Sequence, residues 1–392
     1  MKNNKEKKLV RKPSFFVWYI LGPLVILYFL LQFRFRRNKI KIRKKSLVLA
    51  PHRAYADFLT IPIAIYPYRP NFVATSYWFR NKKLGKLLRF LGCIKKDQYR
   101  ADINAIKEMS DCFKRNRIVM MFPEGQMAPD GKSQIIVKGV ERLIKKFKVN
   151  VYFVNPKGSY LTGPKWHGKV IRGDMDVETS LIIKEEDIDN LSTEEIMNII
   201  ETEFKKNDDL EWVKTKPEFK YTNRQKARGL EKYAHMCPKC HKEFTLEHDK
   251  SRLYCTECDF SVEFEKTSFN FKENPYFKSL DELFKFENDQ IREDIKNNVE
   301  YSDEARVISY ETVEGKETEF KMVKMTNEKV SLVSDTETLD FDISKIINFI
   351  ITMGVSFEIP TPESTYRVYL KNGRASMKYW SRMRYIKEEK WK

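Results

Sequence analysis

Cysteine and histidine are scarce: the 392 residues hold six cysteines and five histidines. Six cysteines in a chain this long do not make a disulfide scaffold, and with only 14 glycines there is no collagen-like repeat. Acid is nearly missing from the start, where Glu6 stands alone among residues 1–45 against 14 lysines and arginines. No Gly-x-Ser-x-Gly nucleophile elbow occurs, which excludes one common hydrolase arrangement. No repeat of solenoid length and no low-complexity linker interrupts the sequence. What is present is ample apolar material, 42% hydrophobic beside 33% charged residues. At roughly 150 residues per domain that suffices for about two or three packed domains.

The net charge of +18 is unevenly spread. Residues 1–45 carry +13, residues 46–150 carry 20 basic against 8 acidic side chains (+12), and residues 151–392 carry 39 against 46 (−7). The first 150 residues therefore face something anionic and the rest does not. The run 13–33 (PSFFVWYILGPLVILYFLLQF) has 21 positions without a charge, close to the ~20 a helix needs to cross a bilayer core. Trp18, Tyr19 and Tyr28 suit a headgroup boundary. Arg34, Arg36 and Arg37 follow where a signal peptidase would need small residues, and every face of the segment is apolar, unlike that of a soluble core helix. The expectation is a basic membrane anchor over 1–45. Both flanks are basic, and Gly22-Pro23 sits mid-segment, so a spanning helix and a shallow hairpin both stay open. Anionic headgroups then account for the basic flanks without nucleic acid. The expected location is the cell membrane, with the folded part facing the cytoplasm.

Residues 46–215 alternate strands with helices. SLVLA (46–50), RIVMMF (117–122) and VNVYFV (149–154) are apolar strands; helical spacing marks 102–116 and 136–147; Ser192 and Glu195 form a capping box that launches a helix to about 205. A basic amphipathic stretch, 77–91, carries Lys82, Lys83, Lys86 and Arg89. This pattern predicts an α/β domain with a largely parallel sheet, whose chemistry sits at strand carboxyl ends. Two motifs follow strands directly: His52 with Asp57 five residues on, and Phe122-Pro123-Glu124-Gly125. The first alone is weak, since a lone histidine is more often structural; the second is rare by composition.

Together the two motifs resemble the glycerolipid acyltransferases related to 1-acylglycerol-3-phosphate O-acyltransferase, whose His-x4-Asp motif precedes Phe-Pro-Glu-Gly by about seventy residues. Here His52 and Glu124 are 72 apart. Gly92-Cys93-Ile94-Lys95-Lys96-Asp97-Gln98 and the strand ending in Pro156 look like two weaker family blocks, so the similarity covers residues 14 to 205. Pro51, Ala54, Gln98 and Gln126 depart from the family's usual Asn, Ser, Arg and Thr, which bears on the acceptor more than on the chemistry. The resemblance implies transfer of an acyl group from acyl-CoA or acyl carrier protein to the free hydroxyl of a lysophospholipid, with 1-acylglycerol 3-phosphate the leading acceptor. Glycerol 3-phosphate or another lysolipid is the alternative acceptor. A membrane-tethered adaptor with an inactive domain is the alternative outside enzymology.

The chemistry has its own argument. An alcohol holds its proton at neutral pH, and an imidazole with a pKa near ~6.5 can take it as the oxygen attacks a thioester. His52 is the candidate base, and Asp57 would hold its other nitrogen and stabilise the imidazolium. The acceptor's phosphate needs cations, for which Lys95, Lys96 and Arg100 are candidates; by resemblance Glu124 and Gly125 line the acceptor pocket. Cys93 and Cys112 read as small buried hydrophobes.

Cys237-Pro-Lys-Cys240 and Cys255-Thr-Glu-Cys258 are two CxxC pairs separated by 14 residues. Two such pairs complete a tetrahedral site, so residues 233–265 are expected to form a zinc ribbon. Four thiolates leave no open position, which makes the Zn2+ structural. Its acidic surroundings (Glu243, Glu247, Asp249, Glu257, Asp259) argue against nucleic acid. Residues 270–392 then show a helix near 279–295, several alternating strands and a closing helix. This β-rich pattern resembles a pleckstrin-homology barrel.

Overall fold

The computed structural model describes residues 10–98, 102–206, 208–311 and 314–390. The chain forms two compact units: Met1–Thr162 with Arg172–Pro217, and Gly163–Ile171 with Glu218–Lys392.

In the first unit the elements run α1 (Gly22–Gln32), β1 (Phe33–Arg37), β2 (Ser46–Leu49), α2 (Asp57–Ala64), β3 (Asn71–Thr75), α3 (Ser76–Phe79), α4 (Lys82–Phe90), β4 (Ile94–Lys96), α5 (Ile103–Lys114), β5 (Ile118–Met121), α6 (Val140–Phe147), β6 (Asn150–Lys157), β7 (Arg172–Ile183), α7 (Thr193–Lys205) and α8 (Asp209–Lys214). The strands lie in the order β1-β7-β6-β2-β5-β3-β4. Neighbours are parallel except β6 and β7. β2 and β5 are buried at every residue, which is why they read as unbroken apolar runs: a parallel sheet is covered on both faces. Alternate residues go opposite ways. Leu47, Leu49, Val119, Met121, Val151 and Phe153 pack with Met109, Ile144 and Ile200 from α5, α6 and α7. Val48, Met120, Tyr152 and Val154 pack with Ile61 and Ala64 of α2.

The expected N-terminal membrane helix needs correction: among the described residues no helix is long and apolar enough to cross a membrane. The run 13–33 is divided instead. Gly22 N–H reaches back five residues to Val17 C=O, a π-turn over Val17–Leu21, and Pro23 opens α1 with no N–H to give. α1 has 11 residues, about 16 Å at ~1.5 Å each and near half a bilayer core. Phe33 is already strand. The arginines that follow are partly spoken for inside the protein. Arg34 and Arg36 pair with Asp174 and Asp176, their register partners on β7. Arg37 donates to the carbonyls of Ile63, Ala64 and Tyr66 at the carboxyl end of α2, where a cation is favoured. Phe29 and Phe33 turn inward onto Ile63 and Met175, whereas Phe16, Leu24, Leu27, Tyr28 and Leu31 stay exposed.

The second unit holds β8 (Tyr221–Thr222), a three-stranded antiparallel ribbon of β9 (Leu246–Asp249), β10 (Arg252–Cys255) and β11 (Ser261–Glu263), and α9 (Leu280–Lys296). Then come β12 (Tyr301–Tyr310), β13 (Lys316–Glu317), β14 (Met322–Met325), β15 (Lys329–Val333), β16 (Thr338–Asp342), β17 (Ile350–Thr352), β18 (Ser356–Pro360), β19 (Thr365–Leu370) and α10 (Ser376–Lys390). The antiparallel order is β16-β15-β14-β12-β19-β18-β17, with β13 beside β12. β12 changes partner midway: Tyr301 to Glu304 pair with β14, Ala305 to Tyr310 with β19. One long strand thus joins two half-sheets, and α10 packs on them through Tyr379, whose ring stacks on Phe357 at 5.2 Å. The β-rich carboxyl-terminal region read from the sequence is present.

Candidate active site

β2 and β5 are adjacent and parallel, so their carboxyl ends lie side by side. The two motifs, far apart in sequence, meet there. His52 follows β2, and Asp57 opens α2, where the helix's free amides favour an anion. His52 Nδ1 lies 3.1 Å from Asp57 Oδ2. The same oxygen accepts the amides of Arg53 (2.6 Å) and Ala54 (2.8 Å), which wraps the loop around a fully buried carboxylate. With Nδ1 on the carboxylate, Nε2 is the nitrogen left with a lone pair. The His52 side chain keeps 28% exposure and stacks on Phe122 with centroids 4.5 Å apart.

Glu124 is 1% exposed, and its carboxylate is turned onto backbone. Oε2 accepts the His52 amide at 2.9 Å and Oε1 the Gln134 amide at 2.6 Å. His52 C=O in turn accepts the Ala128 amide at 2.8 Å. Burial pushes the Glu124 carboxyl up to about 7, against the pull of the two amides and of Arg53 and His52. Below the ordinary 4.5 both folded and unfolded chains hold this proton. Between there and about 7 only the folded chain does, so stability falls as pH rises through that window. Glu124→Gln is expected to remove this part of the decline, on the order of 1–3 kcal/mol; urea midpoints of both proteins across the window check it.

Gly125 sits at φ +77°, open to glycine and strained for other residues. Its amide closes the turn onto Phe122 C=O at 3.2 Å, and its carbonyl accepts from Gln98 Nε2. Gln98 Oε1 accepts from the Thr75 hydroxyl at 2.9 Å. Gln98, the departure from the family's arginine, therefore braces the Phe-Pro-Glu-Gly turn without a charge. Lys95 and Lys96 lie half-buried on β4. Lys96 Nζ donates to Asp97 C=O at 3.0 Å, and burial lowers its pKa while Asp102 and Asp97 raise it. Arg100 lies outside the described residues. Cys93 and Cys112 are buried, their thiols pushed up to about 11 by burial, which suits small hydrophobes better than nucleophiles. Sequence reading missed Arg53, whose buried side chain meets Asp209 at 2.7 Å; a partner 156 residues away leaves no local signal.

In the second unit the four motif cysteines converge, with all four Sγ within 4.8 Å of one another. Cys237 and Cys258 Sγ are 3.6 Å apart, Cys240 and Cys255 3.8 Å. A disulfide needs ~2.05 Å. Thiolates ~2.3 Å from one tetrahedral ion stand about 3.8 Å from each other, so the spacing fits a metal. Two nearby histidines have other partners: His235 Nδ1 is 2.7 Å from Glu287, and His248 Nδ1 is 2.8 Å from Glu231.

Residues 32–155 match a family model described as Acyltransferase. A curated 1-acyl-sn-glycerol-3-phosphate acyltransferase of Streptococcus pneumoniae is 28% identical over 216 residues, 53% of this chain and 78% of that protein. The solved 1-acyl-sn-glycerophosphate (LPA) acyltransferase of Thermotoga maritima aligns with a TM-score of 0.41 at 20% identity, over 48% of this chain and 78% of the other.

Proposed function

We infer that this chain, a member of the acyltransferase family through residues 32–155, moves a fatty acyl group from acyl-CoA or acyl carrier protein to the free hydroxyl of 1-acylglycerol 3-phosphate, giving phosphatidate. The observation that carries the mechanism is the His52–Asp57 pair at 3.1 Å, held beside the Phe-Pro-Glu-Gly turn by Glu124. His52 Nε2 takes the hydroxyl proton as the oxygen attacks the thioester carbonyl. Asp57 keeps Nδ1 protonated and offsets the imidazolium charge. A C–O bond forms, the C–S bond breaks, and the proton passes from Nε2 to the leaving sulfur. Glu124 acts through the backbone, setting where the His52 loop sits. Lys95, Lys96 and Arg100 supply charge for the acceptor's phosphate, a task the neutral Gln98 does not share.

Purified full-length protein given labelled acyl-CoA or acyl carrier protein should acylate 1-acylglycerol 3-phosphate in preference to glycerol 3-phosphate and other lysolipids. A different preferred acceptor would move the assignment within the enzyme class. No transfer to any acceptor would favour the tethered adaptor.

The exposed face of α1 points to attachment at the membrane surface, lying in its plane. Tyr77, Trp78, Leu87 and Phe90 of α3 and α4 are likewise exposed, among Lys82, Lys83 and Lys86, as anionic headgroups require. Because the acyl donors are cytosolic thioesters, the cytoplasmic leaflet is the surface assigned. Leu24→Glu with Leu31→Glu should weaken binding to anionic vesicles by about tenfold or more, since each carboxylate must enter an apolar layer; vesicle sedimentation measures it. In the second unit we assign a structural Zn2+ to Cys237, Cys240, Cys255 and Cys258. The strand order and closing α10 support a pleckstrin-homology-like docking module beside it.

A further inference from the structure

The His52 loop has a second anchor besides Asp57. While the Arg53 amide is fixed to Asp57, its side chain has no exposure, and Nη1 donates to Asp209 Oδ1 at 2.7 Å. Asp209 is itself 1% exposed and opens α8. It gathers more than the guanidinium: the Gly158 amide donates to Oδ1 at 3.1 Å and the Tyr160 amide to Oδ2 at 2.8 Å. Gly158 directly follows β6, the strand beside β2. One carboxylate thus joins the loop after β2, the turn after β6 and a helix far along the chain. Both α8 and this turn lie beyond the matched residues 32–155. Burial pushes the Asp209 carboxyl upward, and Arg53 with the two amides pulls it back.

A buried ion pair is a poor source of stability, because apolar replacements of similar shape usually do as well or better. Its place next to the base calls for a positional explanation. We propose that the Arg53–Asp209 pair is a positioning device for His52, holding the loop so that Nε2 stays at reacting distance from the acceptor hydroxyl. This rests on His52 being the base. Arg53 and Asp209 touch no substrate; they act through the loop, and a displacement near ~1 Å at a reacting group can cost about 10²-fold in rate.

The test is a cycle of Arg53→Gln, Asp209→Asn and the double variant in the full chain, with acyl-CoA and 1-acylglycerol 3-phosphate. Each single variant should lower kcat about 10²-fold with KM changed less than about twofold. The double variant should be no worse than the worse single, because the two act as a unit. Hydrogen exchange over residues 50–57 should quicken at least about tenfold in each single variant. If a single variant fails to fold, Arg53→Lys carries the comparison, keeping the charge without the fork. Losses that multiply in the double variant would show Asp209 serving only the turn after β6 and would overturn the proposal. A change confined to KM, or unchanged exchange, would overturn it too. Should the wild-type chain transfer no acyl group, it is the reading of His52 that falls; the exchange arm then still decides whether this pair anchors the loop.

Discussion

Replacing His52 with alanine should lower kcat for acyl transfer by about 10³-fold, within the range general-base catalysis supplies, and leave KM nearly unchanged. The variant is a fair test because the fold loses little. The clasp from Glu124 runs to the His52 amide and that from Ala128 to its carbonyl, and alanine keeps both. The urea midpoint should therefore stay close to wild type while turnover falls. Asp57→Asn should fall short of that loss in chemistry but cost more in stability, because the carboxylate also collects the Arg53 and Ala54 amides. Transfer at the wild-type rate by His52→Ala would remove the base and with it the mechanism.

The second large effect concerns the thiolates. Protein purified under reducing conditions should carry about one zinc per chain by elemental analysis, and Cys240→Ser should unfold the ribbon. Structural zinc contributes roughly 10–16 kcal/mol on binding in small domains, comparable with the whole stability of a typical domain, about 5–15 kcal/mol. Besides the cysteines, the ribbon's buried apolar set is small: Tyr233, Ala234, Leu246, Leu253, Phe260, Val262 and Phe264. Limited proteolysis within residues 233–265 should be rapid in the variant or after chelation, and slow in the holoprotein. No stoichiometric zinc, or equal resistance with and without chelator, would overturn the assignment.

Sequence patterning carried the parts of this molecule that rest on local rules. Runs such as RIVMMF are strands because both faces of a parallel sheet are covered, and the CxxC pairs meet because each knuckle is self-contained. The apolar run at the amino terminus misled for a physical reason. Hydropathy sees 21 uncharged residues but not the π-turn ahead of Gly22-Pro23 or that Phe33 begins a strand. The arginines after it looked like a headgroup flank because their acids, Asp174 and Asp176, lie on β7, 140 residues away. Glu124 was legible as part of its motif, but its clasp on the His52 and Gln134 amides was not, and Asp209 gave no sign at all, since each gathers amides from other parts of the chain. The midway change of partner along β12 is set by strands distant in sequence and leaves no mark in an alternating pattern.

The junction at Gln32 and Phe33 has a mechanical consequence. α1 passes into β1 with no spacer, and β1 is zipped to β7 by its ladder and by two arginine–aspartate rungs. The apolar α1 is thus bolted to the frame instead of hanging from a leash. Under the membrane-surface attachment proposed above, tilt and height of the catalytic rim above the bilayer would be set by the sheet, and the acceptor would be met by gliding sideways, without reaching down for it.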